Sequence, residues 1–239
     1  MRSKSANLQL QARLTFNYWR KGGYGFGSED YRWSIVRSKV NNKFAFFLFN
    51  VFFISLTQSL LLFLITSPTY TFVVLTQLLK RQQVEFGLAD VTFSRMIVFF
   101  IFIEAIADQQ QWKFQSAKAE YFRTARIPKD YKDPAQSTPE DLERGFIVSG
   151  LWSWCRHPNF AAEQCIWVTL YLWVSYCTKT YVHWTVLGSM VYLLLFQAST
   201  RLTEWITAGK CPEYIDYQAR VGMFIPRLSV EAKGTRKKE

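Results

Sequence analysis

Apolar and polar positions fall in long blocks along this chain rather than alternating singly. Residues 44–65, FAFFLFNVFFISLTQSLLLFLI, hold no charge in 22 positions. As a helix, such a run is long enough to cross about 30 Å of hydrocarbon. The pattern predicts four spans, at roughly 44–66, 91–107, 160–177 and 182–199. Ser67-Pro68 is expected to end the first. The second, VTFSRMIVFFIFIEAIA, carries Arg95 near one end and Glu104 near the other. Thr178 to Tyr181 reads as a tight turn that makes the last two spans a hairpin. The short apolar stretch at 70–79 reads as a re-entrant or interfacial piece, or the stub of a further span. The expected fold class is all-α: a polytopic membrane helical bundle of about four to five transmembrane helices, with a cytosolic loop and tail.

Composition and charge sharpen this picture. Hydrophobic residues are 49% of the 239 and aromatics 18%, too many for a disordered or collagen-like chain. The net charge of +11 suits nucleic acid or a membrane surface. A soluble nucleic-acid-binding domain has no use for an uncharged 22-residue run, so the reading is a lipid bilayer and no nucleic acid. Nine basic residues precede the first span, eight lie in 108–159 and eight in 200–239, whereas only Lys80, Arg81 and Lys179 occupy the other two connections. By the positive-inside rule, the N-terminal segment 1–43, the central loop and the tail 200–239 are cytosolic, around a membrane domain spanning 44–239. Cys155, Cys165, Cys177 and Cys211 show neither a CxxC pair nor metal-ligand spacing, so no metal and no disulfide framework are expected. The N-terminus lacks the apolar core of a signal peptide.

Candidate chemistry lies where greasy segments meet polar ones. Glu104 sits inside an apolar stretch, and Asp108 lies one helical turn on along the same face. Acids in such places usually face protein or water, although an interfacial acid paired with a lysine fits Asp108 as well. In GLWSWCRHPNFAAEQCIW (150–167), Arg156 and His157 precede Pro158, a residue favoured in a first helical turn, and Glu163 follows Asn159 by one turn. These residues fit either a capped helix with snorkelling charges or an anion site at a helix start. In the tail, Tyr214, Tyr217 and Phe224 recur near helical spacing with Lys210 and Arg220 interleaved. That stretch reads as an interfacial amphipathic helix, or as the second wall of a basic, aromatic-lined pocket. GGYGFG (22–27) lacks the spacing and preceding strand of a phosphate loop, and His183 reads as structural. The terminal Arg236-Lys237-Lys238-Glu239 resembles a dibasic retrieval signal, which implies the endoplasmic reticulum membrane in a eukaryotic host.

Four stretches together resemble the steroid 5-alpha-reductase-like membrane family, specifically its domain-of-unknown-function branch. They are RLTFNYWRKGGYGFGSEDYRW (13–33), EAIADQQQWKFQ (104–115), the 150–167 motif and TEWITAGKCPEYIDYQARVGMFIPR (203–227). Sterol C14 and C7 reductases and isoprenylcysteine carboxyl methyltransferases are more distant relatives. The resemblance implies NADPH held at the cytosolic ends of the last helices. It places Trp152, Asn159 and Phe160 at the cofactor, with Asp108, Arg156, His157, Glu163, Lys210 and Tyr217 at matching positions. Three departures stand out. Cys211 replaces the usual tyrosine of the tail, Gln111 and Gln115 stand where sterol reductases carry basic contacts, and the chain begins close to the RLTFNYWRKGG motif. The family's earlier helices, with the glutamate that polarises the substrate carbonyl, are therefore expected to be absent, and no catalytic acid is assigned.

The implied activity is NADPH-dependent reduction of a carbon–carbon double bond, conjugated to a carbonyl, in a steroid-like or other lipid substrate. RHPN with the Y-x-x-Y tail also fits an S-adenosylmethionine-dependent methyltransferase. Cys211 and the missing helices fit a non-catalytic scaffold of the same fold.

Overall fold

The computed structural model describes residues 15, 16, 18–20, 31–74, 77, 87–129, 131 and 138–227. The glycine-rich stretch 22–27, most of the expected piece beyond residue 74 and the terminal retrieval-like signal lie outside the described residues. Among the described residues every named element is helical, which makes the chain all-α, and the lone β feature is a parallel bridge between Cys155 and Gly222.

After α1 (Tyr31–Val40), the first apolar block forms α2, Lys43–Val73, whose most apolar 18-residue stretch has a mean hydropathy of 2.1. By length and composition it is the one helix among the described residues able to cross a membrane. Asn42 caps its start, its Oδ1 accepting from the Phe44 and Ala45 amides at 2.9 and 3.1 Å. Residues Asn50–Thr57 widen into a π-helical stretch, in which Asn50 and Thr57 donate side-chain hydrogen bonds back to the Phe46 and Phe52 carbonyls. The helix does not end at Ser67-Pro68 as expected but runs on to Val73. Pro68 has no N–H to offer the Leu64 carbonyl, and the Ser67 hydroxyl donates to that oxygen instead, at 2.7 Å. A proline flanked by such a donor is compatible with a continuous helix.

The second apolar block is also longer than its expected span. It begins α3, Leu88–Thr124, whose 37 residues extend about 55 Å. Much of the expected central loop is thus helix, because the run 109–123 is rich in good helix formers and free of Gly and Pro. Ala125, at φ +53°, ends it in a left-handed turn. A short α4 (Pro139–Glu143) follows, capped by a reciprocal Thr138–Asp141 box. A 3-10 turn, Gly150–Ser153, then leads to α5 (Pro158–Thr178), α6 (Val186–Lys210) and α7 (Tyr214–Arg220). The hairpin turn is present, with Lys179 at φ +54° after α5, but α6 starts four residues later than its predicted span and runs eleven beyond it.

The chain divides into two compact units: Met1–Ile101 with Glu163–Thr203, and Phe102–Ala162 with Glu204–Glu239. The first holds a cluster of Ile97 and Ile166 with Phe100, Ile101, Trp167 and Trp173. Its buried acids are satisfied locally. Asp90 accepts from Trp173 Nε1 at 2.8 Å, and Glu163 accepts from Trp167 Nε1 at 2.8 Å and from the Tyr192 hydroxyl at 3.0 Å. His183 pairs with Thr185 through Nδ1 at 2.5 Å and Ser175 through Nε2 at 3.3 Å, the structural role anticipated for it. Outward on this unit point Val98, Phe99, Leu172, Leu187, Met190 and Leu194. The second unit packs Phe114, Ala117, Leu142, Ile147 and Trp152 in one cluster and Phe146, Tyr214 and Tyr217 in another.

Candidate functional site

Within the second unit, the 150–160 turn is built by backbone constraints first. Gly150 adopts φ +59°, and a Cβ there would lie 2.4 Å from the Gln110 side chain. That absence of bulk lets the Leu151 amide donate to Gln110 Oε1 at 3.1 Å. Trp152 turns inward, its indole donating to the Ala107 carbonyl at 3.3 Å. The Tyr217 hydroxyl donates to the Trp152 carbonyl. Two further bonds tie the same turn to the tail: Arg156 N to Gly222 O at 2.9 Å and His157 N to Met223 O at 3.1 Å. Pro158 then opens α5 at the position where its missing N–H costs nothing.

At the centre lies a residue the sequence analysis did not single out. Glu204, near the C-terminal end of α6, is buried, and its carboxylate gathers five donors. Arg156 reaches it through Nε at 2.7 Å and Nη2 at 3.0 Å, a two-pronged pairing. His157 Nε2 lies 2.9 Å away, Gln218 Nε2 donates at 2.9 Å, and the Tyr214 hydroxyl donates at 3.4 Å. Arg156 Nη1 also donates to the carbonyls of Gln218, at 3.0 Å, and Val221. The guanidinium placed at the cofactor by resemblance is therefore occupied inside the chain, where it joins the two stretches. Glu204 belongs to the quoted 203–227 segment. An acid set between Thr203 and Trp205 just past an apolar run was the available signal.

Burial by itself raises the Glu204 carboxyl, but the hydrogen bonds from His157, Arg156 and Gln218, with the Arg156 charge, hold it down at about 2. A depressed carboxylate adds stability above its ordinary value of 4.5 and loses it as pH falls toward 2. The contribution is on the order of 3 kcal/mol. Acid unfolding followed by tryptophan fluorescence should therefore steepen between about pH 4.5 and 2, and Glu204→Gln should flatten that interval. An unchanged acid limb would refute this account. Burial, then the Glu204 charge, pushes the Tyr214 hydroxyl up. Burial also raises Tyr217 and, against the His157 backbone amide, the Cys155 thiol.

Around His157 stand aromatic walls. Phe160 stacks on its ring at 5.5 Å, with Phe224 at 6.2 Å and Trp152 at 6.4 Å. Asn159 Nδ2 donates to Asp108 Oδ1 at 3.2 Å, which fixes the amide orientation, since the other way round two oxygens would face each other. Asn159 Oδ1 is then left buried with no hydrogen bond, and so is Gln111 Oε1, one turn from Asp108. Buried acceptors of this kind are costly unless something donates to them.

The structure thus brings together Asp108 with Asn159, Arg156 and His157 on Glu204, Trp152 and Phe160 beside His157, and Tyr217 with Trp152. Glu163 belongs to the other unit, with Trp167 and Tyr192. Lys210 is exposed in the last turn of α6. Tyr214 and Tyr217 face inward, so α7 turns its aromatic side to the protein.

Residues 10–221 match the model of a family described as "Protein of unknown function (DUF1295)". An uncharacterized protein of Schizosaccharomyces pombe is 41% identical over 217 residues, which are 91% of this chain and 60% of that protein. The chain therefore spans about three fifths of that relative's length. No solved structure matches it.

Proposed function

The chain belongs to the DUF1295 family, and from that footing we propose that it is a multi-pass membrane reductase of the steroid 5-alpha-reductase-like kind, binding NADPH at the 150–160 turn. The observation that carries the reading is the buried, unpartnered Asn159 Oδ1 beside an aromatic-walled turn. A carboxamide N–H or a ribose hydroxyl supplies the donor that oxygen lacks, so the nicotinamide end of a dinucleotide fits the residues present. Gln111 Oε1 offers a second acceptor of the same type. Arg156 is not the phosphate ligand in this reading; it ties the tail to the turn.

When bound, the cofactor supplies hydride for a carbon–carbon double bond conjugated to a carbonyl. The chain's own residues hold and orient. Asn159, kept in one orientation by Asp108, accepts the ligand's donor, while Phe160, Trp152 and Phe224 exclude water around His157. The outward Val98, Phe99, Leu172, Leu187, Met190 and Leu194 support further membrane-facing helices beyond α2, and with them access for a lipid substrate.

Thermal shifts of the full chain in detergent test the reading. NADPH at a hundred times its Kd should stabilise by about 2.7 kcal/mol through mass action, and Asn159→Ala should abolish that shift. A shift with S-adenosylmethionine alone would make the protein a methyltransferase. No shift with NADPH, NADH or S-adenosylmethionine would favour the scaffold.

A further inference from the structure

His157 contacts Glu204 through one ring nitrogen only. Nε2 lies 2.9 Å from a carboxylate oxygen, and among the described residues no hydrogen bond engages Nδ1. A nitrogen facing a carboxylate keeps its hydrogen in both the neutral and the charged imidazole, because without it two lone pairs would confront each other. Every change in the ring's protonation therefore falls on Nδ1. A swivel of the ring would take Nε2 off the carboxylate, and Phe160, stacked on its face at 5.5 Å, with Trp152 and Phe224 at its flanks, crowds that motion. Glu204 is itself held by Arg156 and Gln218, so it cannot follow a moving imidazole. The charged and titratable groups about the pair are Arg156, Tyr214, Tyr217 and Cys155.

We propose that Glu204 is a positioning residue for His157, fixing its Nε2–H tautomer and presenting Nδ1 as the one nitrogen that hydrogen-bonds, or exchanges a proton with, a bound molecule. This rests on the cofactor-site reading for the identity of that molecule and not for the geometry. The carboxylate acts through the imidazole, in the manner of an outer partner that selects which nitrogen of a histidine meets the ligand. The ligand group that fits Nδ1 is a hydroxyl or an amide N–H when the ring is neutral.

The chain has two histidines, so ring nitrogen resonances of the 15N-histidine-labelled protein in detergent are assigned with His183→Gln. The expected result, read at a pH alkaline enough that the ring carries a single proton, is an unprotonated Nδ1 and a protonated Nε2 for His157. A protonated Nδ1 with a bare Nε2 overturns the proposal. The second measurement uses the double variant Arg156→Met/Glu204→Leu, in which both charges are replaced by apolar side chains and folding is retained more readily than in either single variant. His157 should then populate both tautomers, and NADPH affinity should fall about tenfold or more, the scale seen when the outer partner of an oriented imidazole is lost. A folded double variant that keeps the single tautomer and full affinity also overturns it. Absence of NADPH binding in the wild type counts against the cofactor reading alone; the wild-type tautomer then decides the role of Glu204.

Discussion

Arg156→Ala should destabilise the unit that contains it by about 3–5 kcal/mol, the usual cost of removing one partner of a buried ion pair. The change leaves the Glu204 carboxylate buried with fewer donors and strips the Gln218 and Val221 carbonyls of theirs. Arg156→Lys should rescue little, because an ammonium cannot copy a fork that meets a carboxylate with two nitrogens and two carbonyls with a third. Near-ultraviolet dichroism during urea or heat unfolding in detergent measures the loss. The Arg156→Met/Glu204→Leu double variant should unfold later than Arg156→Ala, a non-additivity diagnostic of direct coupling. Equal midpoints for wild type and Arg156→Ala would mean that the pair stabilises nothing.

Gly188→Leu should disrupt the other unit. A Cβ at this position would lie 2.3 Å from the Leu64 carbonyl oxygen, 2.5 Å from its carbon and 2.8 Å from the Ile65 nitrogen. These are backbone atoms of a helix, so nothing nearby can rotate away. Gly188→Ala should cost about 1–3 kcal/mol, as overpacking generally does, and leucine more. The Leu64 oxygen also accepts the Ser67 hydroxyl beside Pro68, so a shift there strains the continuity of α2 as well. Gly209→Ala is the control: a Cβ there meets nothing within 4 Å, and a helical alanine should hold or raise the melting temperature. Wild-type melting by Gly188→Leu would show that the close approach is dispensable.

Where apolar blocks are long, helices are legible in the sequence. The blocks at 44–65 and 160–177, and 186–199 of the last one, reappear in helices, because uninterrupted apolar character needs internally satisfied backbone. Ends were harder to read. Pro68 looked like a stop because its effect depends on a side-chain donor at Ser67, a three-dimensional detail no composition window contains. The polar half of α3 looked like loop because its core-packed stripe, Phe114, Ala117 and Tyr121, is thin among amide and charged residues. At the site, the turn and the tail were legible as partners from their aromatic and basic residues, and Tyr217 does meet Trp152. Glu204 was not, since a single acid after an apolar run is ordinary in sequence. Its importance comes from five donors converging on it from two segments of the chain, the 156–157 turn and α7.

The unit carrying the site is assembled from two stretches of chain separated by residues 163–203. Domains generally fold as units during synthesis, so the turn at 150–160 leaves the ribosome long before the residues that clasp it. Until Glu204 and Tyr217 have been translated, Arg156 has no counter-ion and the Trp152 carbonyl no donor from the tail. A nascent chain cut short before Glu204 therefore exposes a lone guanidinium that a cell's quality-control machinery can recognise as unfinished.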